Sequence, residues 1–381
     1  MAVSARSAVA PVAAPTSPPP SRRRIAHRSA ADRMITVACA GNSFLVTWLL
    51  FNRLTDGVGW LGFLVCWYVA FLVLLYVCIR DQEGSGAAAD RVASTIIASG
   101  TFVLVVPFAW LLVYIVSRGL PALRPGFFTH DQAGIKPSMP ATAGGGSHAI
   151  VGSLEQVAMA LAVTLPLGLL TAIFLNETRS RWRRPVRVLV DAMSGLPSII
   201  AGLFIYAVFI IPFAKHTSLF NFNGFMASLA LSITMLPTIT RTVEVVLRLV
   251  PDGLRESALA LGSSRARMVW SVVLPTARTG VTTSVVLGIA RAVGETAPLL
   301  FTSFGLDFMN ANPLARPQES LPLFVYRNIQ KPSRAAIDRG FTGALVLMLV
   351  VLGLFALART VGRDRSRRRR RSTRRIAPET S

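Results

Sequence analysis

Eight apolar runs set the limits on what this chain can fold into. They fall at about 34–51, 58–79, 92–117, 149–175, 187–213, 225–248, 279–303 and 338–358, and each has the roughly 18 or more residues that a helix needs to cross a bilayer. No water reaches a backbone at that depth, so each run is expected to satisfy its own N–H and C=O groups as an α-helix. With 52% hydrophobic residues and a mean hydropathy of +0.53, the chain reads as an all-α polytopic membrane protein. The first run, MITVACAGNSFLVTWLLF, is the shortest and holds Asn42.

A net charge of +22 would suggest nucleic acid as the partner of a soluble chain, but in a membrane protein the cations must first be sorted by side. With both termini in the cytoplasm, 29 of the 40 Lys and Arg residues fall on inner segments, 10 on outer ones, and Arg291 alone in the membrane. That asymmetry is the one the positive-inside rule asks for. Removing one span would put the cluster RSRWRRPVR and the tail RDRSRRRRRSTRR on opposite sides. Four regions follow: a disordered basic cytoplasmic arm over 1–33, two spans over 34–91, a six-span core over 92–358, and an Arg-rich cytoplasmic tail over 359–381. The arm is rich in Ala, Pro, Ser and Arg and has nothing to bury. The run Arg367 to Arg371 follows a span directly, so attraction to anionic lipid headgroups explains it without nucleic acid.

Several chemistries are excluded. Lys136, Lys215 and Lys331 follow Ile, Ala and Gln, so there is no Walker A lysine and the chain is not itself a P-loop ATPase. Cys39, Cys66 and Cys78 sit in apolar runs at spacings that fit no metal site, and are read as small packing residues. There is no nucleophile–base constellation, so the chain is not read as an enzyme. Gly144-Gly145-Gly146 reads as a flexible turn in an outer loop. Glu155, Gln156 and Asp191 lie near helix ends, where they are expected to be satisfied surface or interfacial groups.

The informative stretch runs from Pro251 to Pro298. Its first part, PDGLRESALALGSSRARMVWSVVLP, is too polar to span. Asp252 is placed to cap a short helix, Gly262-Ser263-Ser264 to break it, and a second short helix is expected to end at Leu274-Pro275. An amphipathic segment of this kind either lies on headgroups or enters a groove on a cytoplasmic partner. Glu256-Ser257-Ala258, three residues, Gly262, nine residues, then Val272-Val273-Leu274-Pro275 resembles the EAA loop of ABC importer permeases, with Ser257 and Val272 as departures. The resemblance implies the type I permease fold, a six-helix core here carrying two extra N-terminal spans. It also implies that the loop 251–275 docks on a separate ATPase, through Glu256, Ser257, Ala258, Gly262, Leu274 and Pro275.

The second part contains GIARAVGETAPLLFT. Arg291 and Glu295 stand one helical turn apart and can pair. Charge at membrane depth is costly and turns toward a cavity or a partner. Pro298 has no N–H for the Gly294 carbonyl, so a kink is expected beside the pair. Two readings stay open on the residues alone: a structural salt bridge that orients helices, or a cationic group offered to an anionic solute. The string resembles the RA-GETAP signature of phosphate importer permeases of the PstA type, as do the stretches 146–177 and 190–204. The likeness covers about residues 92–358, and what it implies goes beyond the loop. Arg291, Glu295 and Thr296 would lie on the translocation pathway, with Ser303 as a further donor, and the chain would be half of a phosphate pore in a bacterial inner membrane. Its partners would be a second, PstC-like permease, a PstB-like ATPase dimer and an extracytoplasmic PstS-like phosphate-binding protein. ATP and Mg would be bound by the ATPase, and no cofactor by this chain. A permease for another oxyanion such as sulfate, or an ATP-independent secondary transporter, is the alternative.

Overall fold

A computed structural model describes residues 30–54 and 59–374, with side chains over 34–53 and 59–360. Most of the predicted N-terminal arm and the last seven residues of the tail lie outside the described residues. Residues 30–33, expected in that arm, instead begin a helix. The chain divides into two compact units, Met1–Phe108 and Ala109–Ser381.

In the first unit α1 (Ala30–Leu54) packs on α2 (Trp60–Glu83). Phe71, Leu75 and Ile79 recur every fourth residue on α2, so they share one face and bury together with Cys39. Edge-to-face ring pairs link the two helices, Phe44–Phe63 at 5.4 Å and Phe51–Phe63 at 5.6 Å. The indole N–H of Trp67 donates to the Ala40 carbonyl at 3.1 Å. A third helix, α3 (Ser85–Gly119), begins in this unit, where Ser99 meets Tyr68 of α2 at 2.5 Å, and ends in the second.

The second unit continues with α4 (Pro125–Thr129), α5 (Ser147–Glu177), α6 (Arg183–Ser194), α7 (Ser198–Ile205), α8 (Ile211–Phe213) and α9 (Gly224–Arg248). After these come α10 (Asp252–Ala260), α11 (Arg265–Met268), α12 (Leu274–Val293), α13 (Ala297–Leu300), α14 (Leu321–Ile329) and α15 (Arg334–Arg374). Its core is organised on α9, where Leu231, Met235, Ile239, Val243 and Leu247 are spaced by four and at most 1% exposed. That stripe packs on α5 and α12. The residues that face this stripe include the small Ala160, Gly168 and Ala172 of α5, because a bilayer supplies no hydrophobic drive and helices gain by close approach. A Cβ at Gly288 of α12 would stand 2.6 Å from Ile239 Cγ1, so only glycine fits there.

Seven helices are long and apolar enough to span, and an eighth span results if α6 is counted with the helix after it. The eight expected spans are therefore recovered, with three corrections. The run 187–213 is not one helix: α6 and the helix Ser198–Phe213 meet at 104°. Gly195 ends α6, and Pro197 has no N–H with which to continue it. The run 279–303 is displaced toward the cytoplasm, since helix is continuous over Arg265–Val293 and stops at Gly294. Leu274-Pro275 is no break; a π-turn over Val269–Val273 absorbs the proline's missing donor. The third correction concerns the triple glycine, which is not a loose turn: Gly145 and Gly146 are buried against α4 and the Phe127 ring.

Candidate functional site

The segment between α9 and α12 forms a hairpin of α10 and α11. Pro251, not Asp252, occupies the N-cap position, and Asp252 is the first residue inside the helix. At the other end the backbone N–H of Gly262 donates to the Leu259 carbonyl at 2.9 Å and that of Ser263 to the Ala258 carbonyl at 3.1 Å. This is the Schellman closure, which needs a left-handed residue, and Gly262 supplies it at φ +79°. Ser264 then caps α11 by accepting from the Arg267 N–H at 3.3 Å. Glu256 and Ser257 are exposed, Ala258 is buried against the core, Leu274 is half-buried and Pro275 exposed. The hairpin thus buries Ala258, Met268 and Val269 against the core while Glu256 and Ser257, together with Leu254, Leu261 and Trp270, face outward.

Arg255, which the sequence marks only as a first-turn cation, ties that hairpin down. Its guanidinium reaches Glu177 at the end of α5 at 3.1 Å and Asp252 at 2.9 Å. It also donates to the carbonyls of Leu247 at 2.8 Å and Val250 at 2.6 Å, at the end of α9. One side chain therefore joins three elements, and at 14% exposure it does so with little competition from water.

A second feature missed in the sequence is Glu244, whose side chain is 2% exposed on α9. Arg187 of α6 lies 2.6 Å away, Arg241 2.9 Å and Arg248 2.5 Å. Arg241 also pairs with Asp191, so the expected interfacial Asp191 joins a network that clamps α6 onto α9. A carboxylate held this way is costly to bury and costlier to unpair. The signal lay in the sequence as arginines at i−3 and i+4 of Glu244, but Arg187 arrives only through the fold.

Arg291 lies in the last turn of α12, 54% exposed, with Nε 3.7 Å from the Glu295 carboxylate. Glu295 follows the helix end, so the pair forms across a break and not along a continuous kinked helix. A cavity of about 150 Å³ receives Arg291 between the α6–α7 bend and the middle of α9. Its polar lining is completed by Arg241, Ser194, Thr234, Thr238 and Thr242. The hydroxyls of Ser194, Thr234 and Thr242 donate to carbonyls of their own helices, so guanidinium groups supply the charged donors. Thr296 precedes α13 and is not among the lining residues, and Ser303 is fully buried, donating to the Leu299 carbonyl at 3.1 Å.

The outer loop over 301–320 folds back on the first turns of α5. Gln156 is buried, not at a wet surface: it donates to Gln318 at 3.2 Å, and Gln318 in turn donates to Glu155. In the same loop Glu319 meets Arg327 at 2.5 Å. Burial pushes the Glu319 carboxyl up to about 7, against the pull of Arg327.

Residues 164–369 match the family described as binding-protein-dependent transport system inner membrane component. The phosphate transport system permease protein PstA 1 of Mycobacterium tuberculosis (strain ATCC 25618 / H37Rv) is 37% identical over 288 residues, 74% of this chain and 90% of the relative. The chain belongs to this family of inner-membrane importer permeases. PstA of Yersinia pestis is 36% identical, covering 66% of this chain and 82% of its own length. Among solved structures, a bacterial ABC transporter involved in the import of the acidic polysaccharide alginate aligns at 15% identity and a TM-score of 0.45, over 71% of this chain and 99% of that one. As a member of the family, the chain is a multi-pass protein of the inner membrane and a permease.

Proposed function

We propose that this chain is a transmembrane permease subunit of an ATP-driven importer of inorganic phosphate. The observation that carries the reading is the cytoplasmic hairpin: a Gly262-closed helix pair with Glu256 outward, in a chain whose relatives are named phosphate permeases. Glu256 and Ser257 would meet a groove on a separate ATPase, where ATP and Mg are held. Ala258 and Leu274 would carry the push into the core, and Gly262 and Pro275 would set the hairpin's turn and its junction with α12. Because α11 runs into α12 without interruption, movement of the hairpin is transmitted along one rigid element to Arg291. A second, PstC-like permease would complete the pore, and a PstS-like binding protein would deliver phosphate from outside.

Arg291 is the residue we assign to the solute. More than half exposed and held only at 3.7 Å by Glu295, it keeps guanidinium donors free for an oxyanion. Glu295 would hold the guanidinium between transfers, and Thr296 would lie on the path in another conformation of the cycle. Reconstitution of the complete assembly tests the reading. ATP-dependent phosphate uptake is expected, falling at least about tenfold in Arg291→Gln, since a hydrogen bond to a charged group contributes about 1.5–3 kcal/mol. Uptake of sulfate in preference to phosphate, or uptake by this chain without ATPase, would overturn it.

A further inference from the structure

Behind the coupling hairpin lies a second cavity, of about 420 Å³, bounded by the end of α5, the turn into α6, the end of α9 and the hairpin itself. Five arginines line it, Arg179, Arg183, Arg248, Arg255 and Arg265, against two carboxylates, Glu177 and Asp252. The charges do not balance locally. Arg248 is committed to Glu244, and Arg255 takes up both Glu177 and Asp252. Among the described residues, no carboxylate lies within ion-pair distance of Arg179, Arg183 or Arg265. Nε of Arg183 is, moreover, buried without a hydrogen-bond partner. A buried N–H left without an acceptor is unfavourable, and three guanidinium groups without carboxylate partners around one hollow, Arg183 half-buried and Arg179 and Arg265 at its exposed rim, give it a positive potential that favours an anion.

We infer that this cavity is a binding site for a phosphate group on the cytoplasmic side, separate from the Arg291 cavity. Guanidinium forks match tetrahedral oxyanions better than any other side chain, and the hollow is large enough for a phosphate with its waters. Two sources share that chemistry: the headgroup of an anionic phospholipid, since the cavity sits at the inner ends of two spans, and free inorganic phosphate in the cytosol. A docked ATPase need not cover it. Asp252, Arg255 and Leu259 line the cavity from one face of α10; Glu256 borders that face, while Gly253 and Ala260, further round the helix, are exposed outside the lining. The anion would brace the hairpin against α5 and α9, so its occupancy sets how stiffly the hairpin moves.

The test uses the full-length chain in nanodiscs with Arg291→Gln as the parent, so that the membrane cavity does not contribute. Radiolabelled inorganic phosphate is titrated in discs of neutral phosphatidylcholine. Retention of phosphatidylglycerol from mixed discs is read by native mass spectrometry. The variant combines Arg179→Gln, Arg183→Gln and Arg265→Gln, and Arg265→Gln alone serves as a surface variant that leaves the fold undisturbed. Phosphate affinity reduced at least about tenfold in the triple variant, and measurably in the single one, establishes the site with free phosphate as its ligand. Loss of phosphatidylglycerol retention alone establishes it with the headgroup as its ligand. Equal phosphate affinity and equal lipid retention in parent and variants would overturn the inference. So would anion binding that arises only when the ATPase is added, because the cavity would then be part of a protein contact. Neither readout depends on transport, so failure here leaves the importer reading standing.

Discussion

Single residues decide how the hairpin turns and where this molecule stores charge. Gly262 holds φ +79° with open space around its α-carbon, so adding a side chain costs backbone strain, not a clash. Gly262→Ala is expected to destabilise the hairpin by about 1–2 kcal/mol, the cost of a left-handed alanine, and to lower phosphate moved per ATP in the assembled transporter while Gly262→Asn, a better left-handed residue, loses less. Glu319 makes a pH prediction. Burial raises its carboxyl from the ordinary 4.5 to about 7 in the folded chain, so the folded state binds the proton more tightly than the unfolded state does. Stability from this group is therefore fully present below about 4.5, declines as pH rises to about 7, and is flat above. Melting temperature measured against pH in nanodiscs should show that decline, and Glu319→Gln should abolish it.

At the scale of elements, the proposed coupling unit is one hairpin whose second helix continues unbroken as far as Val293. Arg255 is its anchor, through Glu177, Asp252 and two carbonyls of the α9 end. Arg255→Ala removes these contacts at once and leaves Glu177 without its cation, with only the Asn176 amide still donating to it. Hydrogen exchange over 251–264 is expected to quicken by roughly tenfold or more while α9 itself keeps its protection, since a lost charge-assisted bond is worth about 1.5–3 kcal/mol. Unchanged exchange there would show that apolar contacts, not Arg255, hold the hairpin. The EAA-type spacing made this hairpin legible in sequence, because turn chemistry at Gly262 and capping at Ser264 are local. The broken span α6–α7 was half legible. Gly195 and Pro197 are local helix breakers, but a 104° bend is set by what the two arms pack against: α6 is drawn to α9 by Arg187 and Asp191, and α7 to α13, where a Cβ at Gly202 would meet Pro298 Cα at 2.6 Å.

For the whole molecule, the sidedness of the spans is the claim on which function rests. With both ends inside, Ser263→Cys in the hairpin should react with an impermeant maleimide only from the cytoplasmic side, and Asn312→Cys in the outer loop only from outside, in a background lacking Cys39, Cys66 and Cys78. The reverse pattern would remove the coupling hairpin from any ATPase.

The sequence by itself determined the apolar helices long enough to cross a membrane and the turn of the α10–α11 hairpin, because hydrocarbon thickness and turn chemistry act on neighbouring residues. Only the tertiary structure decided which charges meet. Glu244 with Arg187, Gln156 with Gln318 and Arg255 with Glu177 are pairings between residues far apart in the chain. They exist because close-packed helices bring polar groups together where water cannot satisfy them, and no local pattern encodes that meeting.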